Sequence, residues 1–236
     1  MPTPLLPIRS IRDFYAFEQH VKTCRALRGL GMVQQWYEIP VFYFSNPASI
    51  IGHGDMVYAP RNSHELDFEL EIAAIIGTQA SNLADNDSAM DCIAGFTIYN
   101  DWSARDLQRN EMAVGLGPSK GKDFANALGP YLVPFPELRD RYQNGRLDLA
   151  MSASINGKTV SRGNASSMYW SWPQLLAHAS RDTQLLPGDV IGSGTVGTGC
   201  ILELTPEVTG GWLKAGDVVQ LEIERLGILE NLVAAR

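Results

Sequence analysis

The chain is poor in cysteine, carries no excess of positive charge and has no long apolar run, and each shortage closes off a class of function. Three cysteines, Cys24, Cys92 and Cys200, stand far apart among 236 residues. Odd in number and without a C-x-x-C pair, they suggest neither a disulfide framework nor a thiolate metal site, so a reducing compartment is expected. The formal charge of −7 offers no basic surface to nucleic acid or to an anionic membrane. No apolar run reaches the ~18 residues of a membrane span, and M-P-T-P-L-L-P-I-R-S lacks the charged and apolar regions of a signal peptide. A cytoplasmic protein is expected. Several catalytic signatures are also missing. His64-Glu65 fails H-E-x-x-H because Phe68 takes the second histidine position, and no G-x-S-x-G occurs. G-L-G-P-S-K-G-K resembles a P-loop but has Leu116 for the first glycine and Asp123 for Ser or Thr. G-S-G-T-V-G, residues 192–197, matches G-x-G-x-x-G, yet Cys200 to Leu204 after it reads as a strand, so no phosphate-binding helix follows. The loop's backbone N–H groups still offer an anion contact.

What is present is a β-rich pattern. Short β-like runs at Val41–Phe44, Phe68–Ile76, Ile93–Tyr99, Leu147–Ile155, Val190–Ser193, Cys200–Leu204 and Val218–Arg225 are separated by turn residues. Among these turns, Asn156-Gly157 reads as a hairpin turn with positive φ at both positions. Helical spacing covers Phe14–Leu27, Ser103–Met112 and Trp172–His178. Without alternating βα units, the pattern predicts an α+β, β-rich fold with a short N-terminal helical section at 1–40 and one domain at 41–236.

The informative stretch is H-E-L-D-F-E-L-E-I-A-A-I-I-G, His64 to Gly77. A period of two puts Asp67, Glu69, Glu71, Ala73 and Ile75 on one face of a strand. A half-buried strand with a solvated acidic face would share this alternation, but the apolar continuation through Ala73 and Ile75 argues that the acids turn into a covered space. Of these acids Glu69 and Glu71 are expected to turn inward, while Asp67, one step nearer the strand start, and Glu65 before it are expected at the rim. Carboxylates under cover need a cation. Asp101 closes the run I-A-G-F-T-I-Y-N-D at a strand-to-helix corner, where it reads either as a turn residue or as a third oxygen ligand. Oxygen donors without a nearby Cys or His pair favour Mg²⁺, Mn²⁺ or Ca²⁺ over zinc. Arg105 and Gln108, three apart on the next helix, share a face, and Lys122 lies between a glycine-rich loop and an apolar run.

Five ordered motifs, F-E-L-E-I-A-A-I-I-G, G-F-T-I-Y-N-D-W-S-A-R-D-L-Q, G-K-D-F-A-N-A-L-G-P-Y-L-V, P-G-D-V-I-G-S-G-T-V-G and L-K-A-G-D-V-V-Q-L-E-I-E-R-L-G, resemble the fumarylacetoacetate hydrolase superfamily, nearest in style to acylpyruvase and fumarylpyruvate hydrolase-like members. The resemblance implies a mixed β-sandwich roll with a helical lid, and a metal bound by Glu69, Glu71 and Asp101. It implies Lys122 as a catalytic cation, Arg105, Gln108 and Thr195 as substrate-binding residues, and a lid histidine that falls on His20, through Y-A-F-E-Q-H-V, as the base. Val196 stands where the family's G-T-P loop has proline, and Val41 to Ser45 offers no counterpart to the extra aspartate ligand of fumarylacetoacetases. The implied activity is metal-dependent hydrolysis of a C–C bond in a 1,3-dicarbonyl acid, with a small oxo acid substrate, Mg²⁺ as cofactor and a homodimeric state. The alternative is decarboxylation, tautomerisation or hydration of a 2-oxo acid through the same enolate.

Overall fold

The acidic strand lies at the centre of the computed structural model, which describes residues 7–235. Leu70–Ile76 is buried along its whole length and pairs antiparallel with Val190–Gly192 on one side and Ile93–Asp101 on the other. These strands belong to a seven-stranded sheet in the order Phe42–Ser45, Ile11–Phe14, Val190–Gly192, Leu70–Ile76, Ile93–Asp101, Asn126–Pro134, Ile50–Ile51. The expected alternation holds on both faces. Leu70, Ile72, Ala74 and Ile76 enter the main core with Phe96 and Trp172, whereas Ala73 and Ile75 join a second cluster with Ile11, Tyr99, Leu128 and Val190. A strand covered on both faces has no solvated side for its acids.

A five-stranded sheet, ordered Lys158–Asn164, Ala150–Ile155, Val218–Ile223, Gly227–Ala234, Met56–Tyr58, supplies Met151, Ala153, Leu221, Ile223 and Leu229 to the same main core. Of these, the large side chains Met151, Leu221, Ile223 and Leu229 each contribute roughly 1.5–3 kcal/mol by burial. The Asn156-Gly157 turn joins the first two of these strands with φ of 52° and 76°. Trp172–Ser180 is a helix opened by a reciprocal Ser171–Gln174 cap. Among the described residues no helix is long and apolar enough to cross a membrane.

Two local readings change. Phe14 ends a strand, Ile11–Phe14, and does not begin a helix; the helix runs from Glu18 to Ala26. Phe14 and Phe17 both reach the core, and their three-residue spacing imitates a helical face although the chain is extended at Phe14. The strand lies inside the main sheet, parallel to Val190–Gly192 and antiparallel to Phe42–Ser45, so the N-terminal section shares that sheet with the rest of the chain. Residues 1–6 of that section, which include most of the stretch read for a signal peptide, lie outside the described residues, as does Arg236. The second change is at Cys200–Leu204, expected as a strand. Ile201–Leu204 is a helical turn, because Asp67 accepts from the N–H groups of Ile201 and Leu202 at 2.7 and 3.0 Å and caps it.

Candidate active site

Asp13, Glu71 and Asp101 meet at the end of the central strands. Each places a carboxylate oxygen within 4.8 Å of the others, and all three are buried. Asp13 comes from Ile11–Phe14, opposite Gly192, while Glu71 faces Tyr99 one strand over and Asp101 ends its own strand. The Oδ1 atoms of Asp13 and Asp101 have no hydrogen-bond partner. Glu71 accepts from Gly194 N at 3.0 Å and from Thr195 Oγ1 at 3.2 Å. The glycine loop thus turns its N–H groups toward the protein's own acids: Gly194 serves Glu71, and Thr198 N donates to Glu203 Oε2.

Glu69 sits beside this trio and is held by cations. Arg105 Nη2 donates to its Oε1 at 2.7 Å, and Lys122 Nζ bridges its Oε2 to Asp101 Oδ2, both at 2.5 Å. Tyr43 donates to the same Asp101 oxygen at 2.5 Å. The remaining Arg105 donors go to Asp67 Oδ2 at 2.8 Å and Gln108 Oε1 at 3.0 Å, so the guanidinium positions Glu69 and Asp67. Asp67, expected at the rim, is fully buried, while Glu65 pairs at the surface with Arg109.

Charge counting shows what the site requires. Five buried carboxyl groups, Asp13, Asp67, Glu69, Glu71 and Asp101, meet two permanent cations, Arg105 and Lys122. Three negative charges remain uncompensated if all ionise, and each unpaired buried charge costs several kcal/mol. The imbalance falls on the trio. Burial and then the Asp101 charge push the Asp13 carboxyl well above the carboxylate range, and burial with the Asp13 and Glu69 charges does the same to Glu71. Asp101 is pushed up to about 6, burial outweighing Lys122. Burial also works against ionisation of Glu69, but Lys122 and Arg105 outweigh it and hold its carboxyl below the usual range. A divalent cation fits the trio: the donors are all hard oxygens, two of them have no partner, and the surplus is negative.

A second constellation lies on the Glu18–Ala26 helix. His20 Nδ1 is 2.6 Å from Glu203 Oε1, and both side chains are buried. Tyr15 packs edge-on against the imidazole at 5.5 Å, and its carbonyl accepts from Trp36 Nε1 at 2.9 Å. Burial opposes a charge on His20, yet contact with Cys200 and Glu203 wins and raises its pKa to about 10. Such a histidine keeps its proton at neutral pH unless further positive charge arrives nearby.

Residues 9–234 match the family described as fumarylacetoacetate (FAA) hydrolase C-terminal. The chain belongs to that family. It is 38% identical over 197 residues to a mitochondrial oxaloacetate tautomerase of Homo sapiens, covering 82% of this chain and 59% of that protein. To a fumarylacetoacetase of Arabidopsis thaliana it is 31% identical over 242 residues, covering 82% of this chain and 57% of that one. The chain therefore spans less than two thirds of the length of either relative. Fumarylpyruvate hydrolase from Pseudomonas aeruginosa, solved with Mn²⁺ and pyruvate, shares the fold with a TM-score of 0.79 at 21% identity, over 98% of this chain and 91% of that one.

In this member of the fumarylacetoacetate hydrolase family, a cleft of about 300 Å³ opens on Lys122 and Tyr43, with Ser45, Asn46, Pro118 and Ser119 in its wall. Gln108, half-buried, turns its amide oxygen to Arg105, while Thr195 is buried against Glu71. Asp13, Glu203 and Tyr43 join the site although nothing in the sequence announced them. Gly192 explains how Asp13 fits: a Cβ there would lie 2.4 Å from Asp13 Oδ1 and 3.1 Å from Tyr99 Cε1. Gly192→Ala should cost about 1–3 kcal/mol by overpacking and weaken divalent-cation binding ~10-fold or more by displacing the carboxylate. Thermal unfolding with a Mn²⁺ titration checks both, and unchanged Mn²⁺ affinity would remove Asp13 from the site.

Proposed function

We propose that the protein is a divalent-cation-dependent hydrolase that cleaves a C–C bond in a 1,3-dicarbonyl acid of the acylpyruvate, fumarylpyruvate or fumarylacetoacetate kind. The observation that carries this reading is the buried His20–Glu203 pair at 2.6 Å, a base with its own orienting carboxylate. Asp13, Glu71 and Asp101, with Glu69 adjoining, would hold the cation. When bound, it supplies Lewis-acid polarisation of the substrate's 2-oxo acid end. Mg²⁺ is the first choice because every donor is a hard oxygen, and Mn²⁺, found in the Pseudomonas aeruginosa relative, suits the same donors.

The chain's own residues then divide the work. With the cation's positive charge nearby, His20 would give up its resting proton; Glu203 then holds the remaining N–H at Nδ1 and leaves Nε2 free to take a proton from water. The hydroxide adds to the distal carbonyl carbon, the C–C bond breaks toward the oxo acid fragment, and the electron pair becomes an enolate. His20 returns the proton to the enolate carbon that lost the C–C bond, giving the oxo acid and a carboxylic acid. Lys122, whose ammonium already bridges two acids, offsets the negative charge that develops on oxygen, and Gln108, its amide oxygen held by Arg105, would offer its amide N–H to a substrate carbonyl. Arg105 keeps Glu69 ionised and in place.

A second reading, tautomerisation of an oxo acid such as oxaloacetate, is supported by the 38% identity to a protein of that name. The same pair would then move one proton between carbon and oxygen without consuming water. A panel of 2,4-dioxo acids and oxaloacetate, assayed with Mg²⁺ or Mn²⁺ and again after EDTA, separates the two. Cleavage of a dioxo acid that falls roughly 100-fold or more after EDTA is expected. Enol–keto exchange of oxaloacetate without any cleavage would replace the first reading with the second. Turnover indifferent to EDTA would sink both.

A further inference from the structure

Cys24 follows His20 by one turn on the buried face of the Glu18–Ala26 helix, its Sγ 3.8 Å from both ring nitrogens. Cys200 Sγ comes within 3.8 Å of Glu203 Oε1, the atom that meets His20 Nδ1. One ligand atom each from His20, Cys24 and Cys200 lies within 4.8 Å of the other two, and all three residues are buried. The cysteines are remote in sequence, which is why their spacing pointed to no thiolate site.

We propose that His20, Cys24, Cys200 and Glu203 form a second cation site, selective for a thiophilic divalent ion of the zinc class, whose occupation switches the enzyme off. An imidazole nitrogen, two sulfurs and a carboxylate oxygen are the donors of a closed tetrahedral zinc site, with bonds of about 2.0–2.3 Å. Donors around such an ion stand ~3.3–3.8 Å apart. The 3.8 Å contacts of both cysteines already match that spacing, while the 2.6 Å His20–Glu203 contact has to open. Soft sulfur donors discriminate against Mg²⁺, while the Asp13–Glu71–Asp101 trio offers oxygen alone, so the two sites sort cations by chemistry.

Binding is an exchange of protons for the ion, without electron transfer. Both thiols ionise, the proton between His20 and Glu203 leaves, and bonds form from the ion to two sulfurs, one ring nitrogen and one carboxylate oxygen. The ion ties the Glu18–Ala26 helix to the Ile201–Leu204 turn and takes the lone pair that His20 needs as a base. The inhibitory consequence rests on His20 acting as that base; the binding itself does not.

Co²⁺, a spectroscopic stand-in for Zn²⁺, tests the site. Added to Mg²⁺-saturated protein, it should give a sulfur-to-cobalt charge-transfer band in the near ultraviolet, which a carboxylate site cannot produce. Cys24→Ala, which removes one of the two sulfurs, should weaken the band at least about twofold, keep its Mg²⁺-dependent turnover and need about 10-fold more Zn²⁺ or higher for half-inhibition. Cys24→Ser, which keeps the side-chain volume, serves if the alanine variant folds poorly. No band in the wild type, a band of undiminished intensity in both variants, or equal zinc inhibition of all three proteins would overturn the proposal. Should no oxo acid be turned over, the function reading fails while the cobalt band and a Zn²⁺-induced rise in unfolding temperature still decide the site.

Discussion

Asp13→Asn should bind Mg²⁺ or Mn²⁺ at least about 100-fold more weakly than the wild type, since even an indirect partner of a metal ligand is worth ~10–100-fold. The same substitution should make the protein more stable in EDTA. Asp13 Oδ1 has no partner, and the carboxyl is pushed up by burial and the Asp101 charge, so without a cation it contributes repulsion to the fold. Removing that repulsion is worth on the order of 1 kcal/mol, or roughly 2–4 °C for a chain of this size. Calorimetry with and without EDTA, beside a Mn²⁺ titration, reads both quantities. A carboxylate with a purely structural role predicts the reverse, intact cation affinity and a lower unfolding temperature.

Glu203→Gln and His20→Ala should each remove most of the turnover, His20→Ala by about 10²–10⁴-fold, the usual worth of a positioned general base. Stability adds a pH signature to the first. The folded pKa of His20, about 10, stands above the ordinary histidine value of 6.5. Its pairing therefore stabilises the fold fully below about pH 6.5, and that stabilisation is lost as pH rises through about 10. Glu203→Gln deletes the charged partner, so its deficit relative to wild type should be large at pH 6, on the order of 3 kcal/mol for a broken buried pair, and should shrink toward pH 10. Unfolding temperatures of both proteins across that range check the sign. A deficit that grows with pH would mean that His20 is buried neutral.

The central strand was legible because its period of two survives burial on both faces, and its apolar continuation through Ala73 and Ile75 marked the acidic side as covered. The Asn156-Gly157 turn was legible because two successive positive-φ positions favour that dipeptide. Asp13 was not, since one acid in I-R-D-F has no periodic partner and the neighbouring phenylalanines imitate a helical face. Its relation to Glu71 exists only through a strand order that inserts Val190–Gly192 between them. Glu203 was hidden for a similar reason. C-I-L-E-L alternates like a strand, and it becomes a helical turn only when Asp67, distant in sequence, receives its first N–H groups. Asp67 in turn could be recognised as buried only with Arg105 and that turn in view. Local pattern reports which face a side chain occupies; which charges meet across strands is decided by topology.

The parallel pairing of Ile11–Phe14 with Val190–Gly192 also sets an order of assembly. During synthesis the segment bearing Asp13 and His20 emerges long before the strand beside it and the turn carrying Glu203. Until then the acids on Leu70–Ile76 lack the loop that hydrogen-bonds Glu71, and the edge that Val190–Gly192 will occupy is open. Contacts this remote in sequence form slowly. A nascent chain halted before Val190 should therefore be a substrate for chaperones and proteases, with its charged interior hydrated, and the acidic site is complete only when that strand closes the sheet.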